Sequence, residues 1–162
     1  MPVQDETVAE TRLIECGFAD TIRAQDFFAA SRPIWVARAP GRLDVMGGNV
    51  DYTGGMVLQS LLREAVWVAT QPRMDGVIRI LNPGAVQFGW ASRLEVQAED
   101  LRNPDAICGF VEQVQGAGWT RYVLGALYFL KDCLGAGGSG GADVFIASDL
   151  PPTRVSVPQP RW

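Results

Sequence analysis

The chain has 162 residues, 48% of them hydrophobic and 20% charged, with a formal net charge of −4 and an isoelectric point near 4.8. That length supports one compact domain with a real core, and the absence of a basic surplus argues against a nucleic-acid partner, because little is left to neutralise phosphates. Histidine is absent, which excludes Ser–His and Cys–His catalysis and any histidine metal site.

The N-terminus, MPVQDETVAE, is acidic and polar and lacks the pattern of a signal peptide. No apolar run approaches the ~20 residues needed to cross a bilayer, so a cytoplasmic protein without a membrane partner is expected. Residues from about Asp20 to Ala30 read as a helix, with Ile22, Phe27 and Phe28 available for a buried side. From Ile34 the period changes, and IWVARAP, AVWVAT, VIRIL, VQFGW and RLEV are short β-rich runs. Asp75-Gly76 is a hairpin-turn signal and Asn82-Pro83-Gly84 a second turn, so an antiparallel meander is expected over roughly residues 64 to 90.

Two helices are expected next. Asn103 can cap the first, with Pro104 at its first position and Ile107, Phe110, Val111 and Val114 at i, i+3, i+4 and i+7. The second, WTRYVLGALYFLKDCL, is apolar nearly all round and reads as the central buried helix. The strand ADVFIAS then ends at Asp149-Leu150-Pro151-Pro152. This order favours an α+β domain over a doubly wound one. The last stretch, PPTRVSVPQPRW, holds four of the chain's ten prolines and cannot sustain a helix or a central strand. Cys16, Cys108 and Cys133 are odd in number, far apart and without metal-ligand spacing, so buried reduced thiols are expected and no metal site.

Two literal motifs fail on context. Gly135, Gly137 and Gly140 satisfy G-x-G-x-x-G, but in the order helix, loop, strand, whereas dinucleotide binding needs a helix N-terminus after the loop. The run from Asn49 to Ser60 begins like a calcium loop, yet Ser60 stands where a bidentate Glu is required. The segment ARAPGRLDVMGGNVDYTGGMVLQ, residues 37 to 59, is different. It sets Arg42, Asp44, Asn49, Asp51 and Tyr52 among Gly41, Gly47, Gly48, Gly54 and Gly55. Glycines allow close backbone approach to a ligand, and the interleaved carboxylate, amide and guanidinium groups suit sugar hydroxyls or a transferring phosphoryl group. A polar glycine-rich hairpin loop fits the same composition.

This segment resembles the galactose-binding signature of galactokinases, within the GHMP sugar kinases. Its general form is A-P-G-R-hydrophobic-N-L-I-G-E-H-T-D-Y-N-G-G, and Ala39-Pro40-Gly41-Arg42, Gly47, Asp51-Tyr52 and Gly54-Gly55 match in register. The supporting pattern extends over roughly residues 33 to 152. The resemblance implies an incomplete GHMP-kinase N-terminal domain, of the type shared with the second domain of a ribosomal protein, with a helical lead-in over 1–32, a sugar-binding domain over 33–153 and a disordered tail over 154–162. It implies that Arg42 stabilises charge during phosphoryl transfer and that Gly47, Gly48, Asn49, Asp51 and Tyr52 place a monosaccharide. Gly48-Asn49 replaces the Glu-His of galactokinases, and GRLDVMGG is closer to the L-arabinokinase branch, so the implied sugar is L-arabinose or galactose-like.

The family also uses ATP and Mg²⁺, through a glycine- and serine-rich loop after Leu-Pro. Here Asp149-Leu150-Pro151-Pro152-Thr153 is followed by RVSVPQPRW, which has no glycine. No nucleotide-binding residue is retained, and the expectation is an N-terminal part of a sugar 1-kinase that is inactive as this chain alone. An inactive sugar-binding module and a non-functional gene fragment remain the alternatives.

Overall fold

The computed structural model describes residues 17–47, 53–133 and 140–150. Helix α1 occupies residues 17–24. Strands β1 (Trp35–Met46), β2 (Leu58–Pro72), β3 (Val77–Leu81) and β4 (Arg93–Gln97) follow, then helices α2 (Pro104–Gln113) and α3 (Thr120–Cys133) and strand β5 (Ala142–Ser148). The strands form one five-stranded sheet in the order β1-β2-β5-β3-β4. Residue contacts divide the chain into two compact units, Met1–Ala37 with Trp67–Ala147 and Arg38–Val66 with Ser148–Trp162. The mixture of helices and a mixed sheet is the expected α+β class.

In the larger unit, register sorts the side chains. β3 and β4 are antiparallel with Ile78 opposite Val96 and Ile80 opposite Leu94. β3 and β5 are parallel, with Ile80 beside Val144 and Arg79 beside Asp143. Successive side chains point to opposite faces of a strand, so Ile78, Ile80, Leu94, Val96 and Val144 share one face and all are buried. Ile107 and Val111 of α2 and Leu124 of α3 are buried too. On the other face, Phe18 of α1 stacks on Trp67 with ring centroids 5.3 Å apart and meets Phe145 at 5.9 Å. Gln71, 1% exposed, ties down the chain after α1. Its Nε2 donates to the carbonyls of Ala29 and Arg32 at 3.0 Å, and its Oε1 accepts from the Ala29 N–H at 2.8 Å. A buried amide is tolerated because both ends are satisfied.

Several elements stand where the sequence places them. Asn103 Oδ1 accepts from the Asp105 N–H at 2.9 Å, Pro104 opens α2, and Ile107 and Val111 face inward. RLEV and ADVFIAS are β4 and β5.

Other expectations need correction. The first helix stops at residue 24, and backbone bonds from Gln25 to Ile22 and from Phe27 to Gln25 turn the chain so that Phe27 is still buried. The meander does not form as a run of neighbours, because β5 pairs between β2 and β3. Asp75-Gly76 does make a tight turn, with Gly76 at φ 72° and Asp75 Oδ1 accepting from the Val77 N–H at 3.2 Å. The two strands it joins are nevertheless separated by a third. VQFGW is not a strand. A 3-10 helix spans Pro83–Phe88 and ends on Gly89 at φ 70°, because Pro83 presets the first turn and lacks the N–H a ladder needs. Helix α3 is buried on one side only: Thr120 and Leu124 are covered, while Tyr122, Phe129 and Leu130 are exposed. Cys108 is exposed rather than buried, on the outer side of α2. Cys16, the glycines at 135 and 137 and the tail over 154–162 lie outside the described residues.

Candidate sugar-binding site

The first half of the glycine-rich segment is strand, not loop: Ala39 to Met46 belong to β1. Pro40 is accommodated because β1 is the edge of the sheet, where a missing N–H forfeits little pairing. Gly41 is buried and has a steric reason to be glycine. A Cβ there would lie 2.3 Å from Leu150 Cδ2, 3.1 Å from Leu62 Cδ1 and 3.4 Å from the Glu64 carbonyl. The strand therefore lies close to Leu62 and Leu150, whose side-chain ends would have to shift for any larger residue.

Asp149 fastens the same unit from the other end. Its Oδ1 accepts from the Ala65 N–H at 2.5 Å, and its own N–H donates to the Ala65 carbonyl at 3.3 Å. Arg38 Nη2 donates to the Arg63 carbonyl at 2.5 Å, a side-chain tie between β1 and β2. Ser148 Oγ accepts from the Leu150 N–H at 3.2 Å and turns the chain after β5. The sequence reading did not single out Asp149 as structural. Its signal was an acidic residue directly after β5.

Arg42 sits on this frame with its side chain 57% exposed, and its Nε lies 3.1 Å from Asp44 Oδ1. An exposed pair of this kind is worth about 0–1 kcal/mol, so the guanidinium is oriented at small cost and remains accessible. Arg42 and Asp44 are i, i+2 on one strand, which puts them on the same face. Gly47 follows β1 at φ 82° and Gly54 lies at φ 77°, both in the left-handed region where a side chain is strained. Gly48, Asn49, Asp51 and Tyr52 lie outside the described residues. The structure thus brings together Arg42 and Asp44, with Gly47 just beyond the end of the same strand.

Comparison with known proteins bears on the same stretch of chain. Residues 25–72 match the family model described as the galactokinase galactose-binding signature. The chain is 30% identical to an L-arabinokinase of Arabidopsis thaliana over 79% of its own length and 15% of that protein. It is also 30% identical to a galactokinase of Roseiflexus sp., over 74% of its own length and 26% of that protein. Among solved structures, Lactococcus lactis galactokinase complexed with galactose superposes with a TM-score of 0.62 at 19% identity, covering 83% of this chain and 31% of that one. Methanococcus jannaschii mevalonate kinase superposes at 0.57 and 15%, covering 78% and 35%.

The fold is that of the GHMP kinases, and the structural likeness carries the fold alone. The signature and the relatives narrow this further: over residues 25–72 the chain is similar to the galactose-binding signature of galactokinases, and it resembles galactokinases and an L-arabinokinase over part of their length. It spans about a quarter of the length of the galactokinases it matches. Among the described residues no helix is long and apolar enough to cross a membrane.

Proposed function

We propose that this chain is the sugar-recognising N-terminal part of an ATP-dependent sugar 1-kinase, acting on L-arabinose or a galactose-like monosaccharide. The observation that carries the reading is the galactose-binding signature over residues 25–72, borne on a galactokinase-type fold. In this reading Asp51 accepts hydrogen bonds from sugar hydroxyls, while Asn49, Tyr52 and the Gly47-Gly48 backbone set the sugar's orientation. Arg42 offers its exposed guanidinium to charge developing on a transferred phosphoryl group, and the Asp44 contact orients it. Gly48-Asn49 supplies one amide where galactokinases have a carboxylate and an imidazole. That thinner rim suits a pentose lacking the hydroxymethyl group of galactose. The setting is cytoplasmic.

In this reading the stretch after Leu150 does not supply a cradle for ATP and Mg²⁺. A phosphate cradle is built from closely spaced backbone N–H groups, usually with glycine. The stretch after Leu150 has no glycine, and its four prolines have no N–H to give. This donor set favours a second reading for the isolated chain, a sugar-binding module without turnover. Calorimetry with L-arabinose and galactose tests sugar recognition. A charged hydrogen bond is worth roughly 1.5–3 kcal/mol, so Asp51→Ala is expected to weaken binding about ten- to a hundredfold. Equal affinity in the wild type and Asp51→Ala would remove the sugar assignment. Sugar-dependent ADP release by the purified chain, abolished by Arg42→Ala, would contradict the absence of turnover.

A further inference from the structure

The larger unit has a cleft of ≈ 370 Å³ whose polar walls are Arg32, Gln71, Arg73, Asp75, Arg79 and Asp143. None of these is among the sugar-site residues named above. Three guanidinium groups face two carboxylates, and the pairing leaves a surplus. Asp143, 3% exposed at its side chain, receives Arg73 Nη1 at 3.2 and 3.3 Å and Arg79 Nε at 2.5 Å. Asp75 receives Arg73 Nε at 3.0 Å and also Arg73 Nη2. Both acids are therefore matched by Arg73 and Arg79. Arg32 donates through Nη1 to the Pro72 carbonyl at 3.1 Å, and among the described residues it has no acidic partner within ion-pair distance. Gln71 holds the Arg32 backbone in place through its bond to the Arg32 carbonyl.

From this we propose that the cleft binds a small oxyanion of the phosphate class, free or as a monoester. The reasoning is one of charge and donor count. A guanidinium has five N–H donors in a fork suited to paired oxygens. Arg32 uses one donor group, and Arg79 uses Nε on Asp143 and Nη2 on the Phe27 carbonyl at 2.9 Å, so donors remain on both. A cation would meet carboxylates already covered by arginine, whereas an anion meets a net positive charge. Arg79 is itself held by its bond to Phe27 and by lying over the Phe27 ring, 5.0 Å from its centroid, so it is preorganised for an anion rather than recruited by one. The volume exceeds what a bare ion needs, which leaves room for the organic part of a monoester.

The test uses the full 162-residue chain and two probes, inorganic phosphate and glycerol phosphate, titrated against chloride at matched ionic strength. Thermal unfolding and ³¹P line broadening are read together. The expectation is that phosphate raises Tm where chloride does not, and that Arg32→Gln weakens phosphate binding at least tenfold, in line with the loss of a charge-assisted contact. Arg32→Lys keeps the charge but loses the fork, and is expected to fall in between. Arg121→Gln, which removes a cation paired with Glu112 on an exposed surface, is expected to bind as the wild type does. Stabilisation by the monoester only, lost in Arg32→Gln, would assign the site to phosphate esters, and equal stabilisation to the phosphate group itself. If neither phosphate nor glycerol phosphate acts differently from chloride on the wild type, or if Arg32→Gln and the wild type bind the stabilising probe equally, the proposal fails.

Discussion

Replacing Asp143 by Asn removes one negative charge from a nearly isosteric side chain and leaves Arg73 and Arg79 facing each other. Breaking a fully buried ion pair by deleting one partner costs about 3–5 kcal/mol, because an uncompensated charge stays buried. Here Asp143 is 3% exposed, but the two arginine side chains are each 21% exposed. Arg73 also keeps Asp75 as a partner. Part of the penalty is relieved by solvent and by that second carboxylate, so about 2–3 kcal/mol is the reasoned cost. At roughly 2–4 °C per kcal/mol for a chain of this size, Tm should fall by about 4–12 °C. The assay is thermal unfolding followed by tryptophan fluorescence, since Trp67 lies in the same core. A double-mutant cycle with Arg79→Gln isolates the pair, and a coupling above about 1 kcal/mol is expected for side chains 2.5 Å apart. A Tm change below one degree, or a coupling near zero, would refute the claim that Asp143 is a stabilising partner of the two arginines.

Three further outcomes follow from the same geometry. Asp75 is held at a pKa of about 2, chiefly by its hydrogen bonds from Arg73. Because its folded value is depressed, its stabilisation is complete above its ordinary value of 3.8 and is lost as pH falls from there through about 2. A carboxyl NMR titration should place its midpoint near 2, and a midpoint near 3.8 would show that the Arg73 contact does not persist. Phe18→Ala should cost about 3–5 kcal/mol, since it removes a buried ring in contact with both Trp67 and Phe145; a loss under 1 kcal/mol in denaturant titration would show that α1 does not close this face. Asn103→Ala should cost about 0.5–2 kcal/mol through loss of the α2 cap, and an unchanged denaturation midpoint would contradict that.

Local rules read the elements well where a single side chain or a short pattern decides the outcome. Asn103-Pro104 had to begin a helix, and the chain obeys because cap, missing proline donor and buried Ile107 and Val111 agree. The order of strands was not legible in the same way. Asp75-Gly76 turns as its chemistry requires, but turn chemistry says nothing of which strand arrives later to pair. That choice is made by β5, some 60 residues on, whose Val144, Phe145 and Ile146 are buried in succession. Such a continuous apolar run marks a central strand covered on both faces. The run was visible in the sequence, and its consequence for β2 and β3 lay in the requirement that both its faces be covered.

The site divides along a similar line. A motif read as function contained residues whose work is packing: Gly41 leaves space for Leu62 and Leu150, and Pro40 is permitted by an edge position. A strand read as packing contained Asp143, a carboxylate in an apolar run, around which two arginines gather. Both cases turn on the same physical fact. Burial makes a polar group costly unless partners are supplied, so a lone acid inside a β-rich apolar stretch announces a network before its partners can be named. Asp149 carries a weaker form of that signal at the end of the same strand, and its bond to the Ala65 N–H is the corresponding tie in the smaller unit. Glycine works in the opposite sense. Its presence at position 41 marks a place where something else must come close, and here that neighbour is the protein's own side chains. At Gly47 and Gly54 the backbone itself demands glycine, through positive φ on either side of Asp51. Within one signature, then, one glycine answers to packing and two to backbone conformation, and Arg42 with its Asp44 partner presents a charge to solvent.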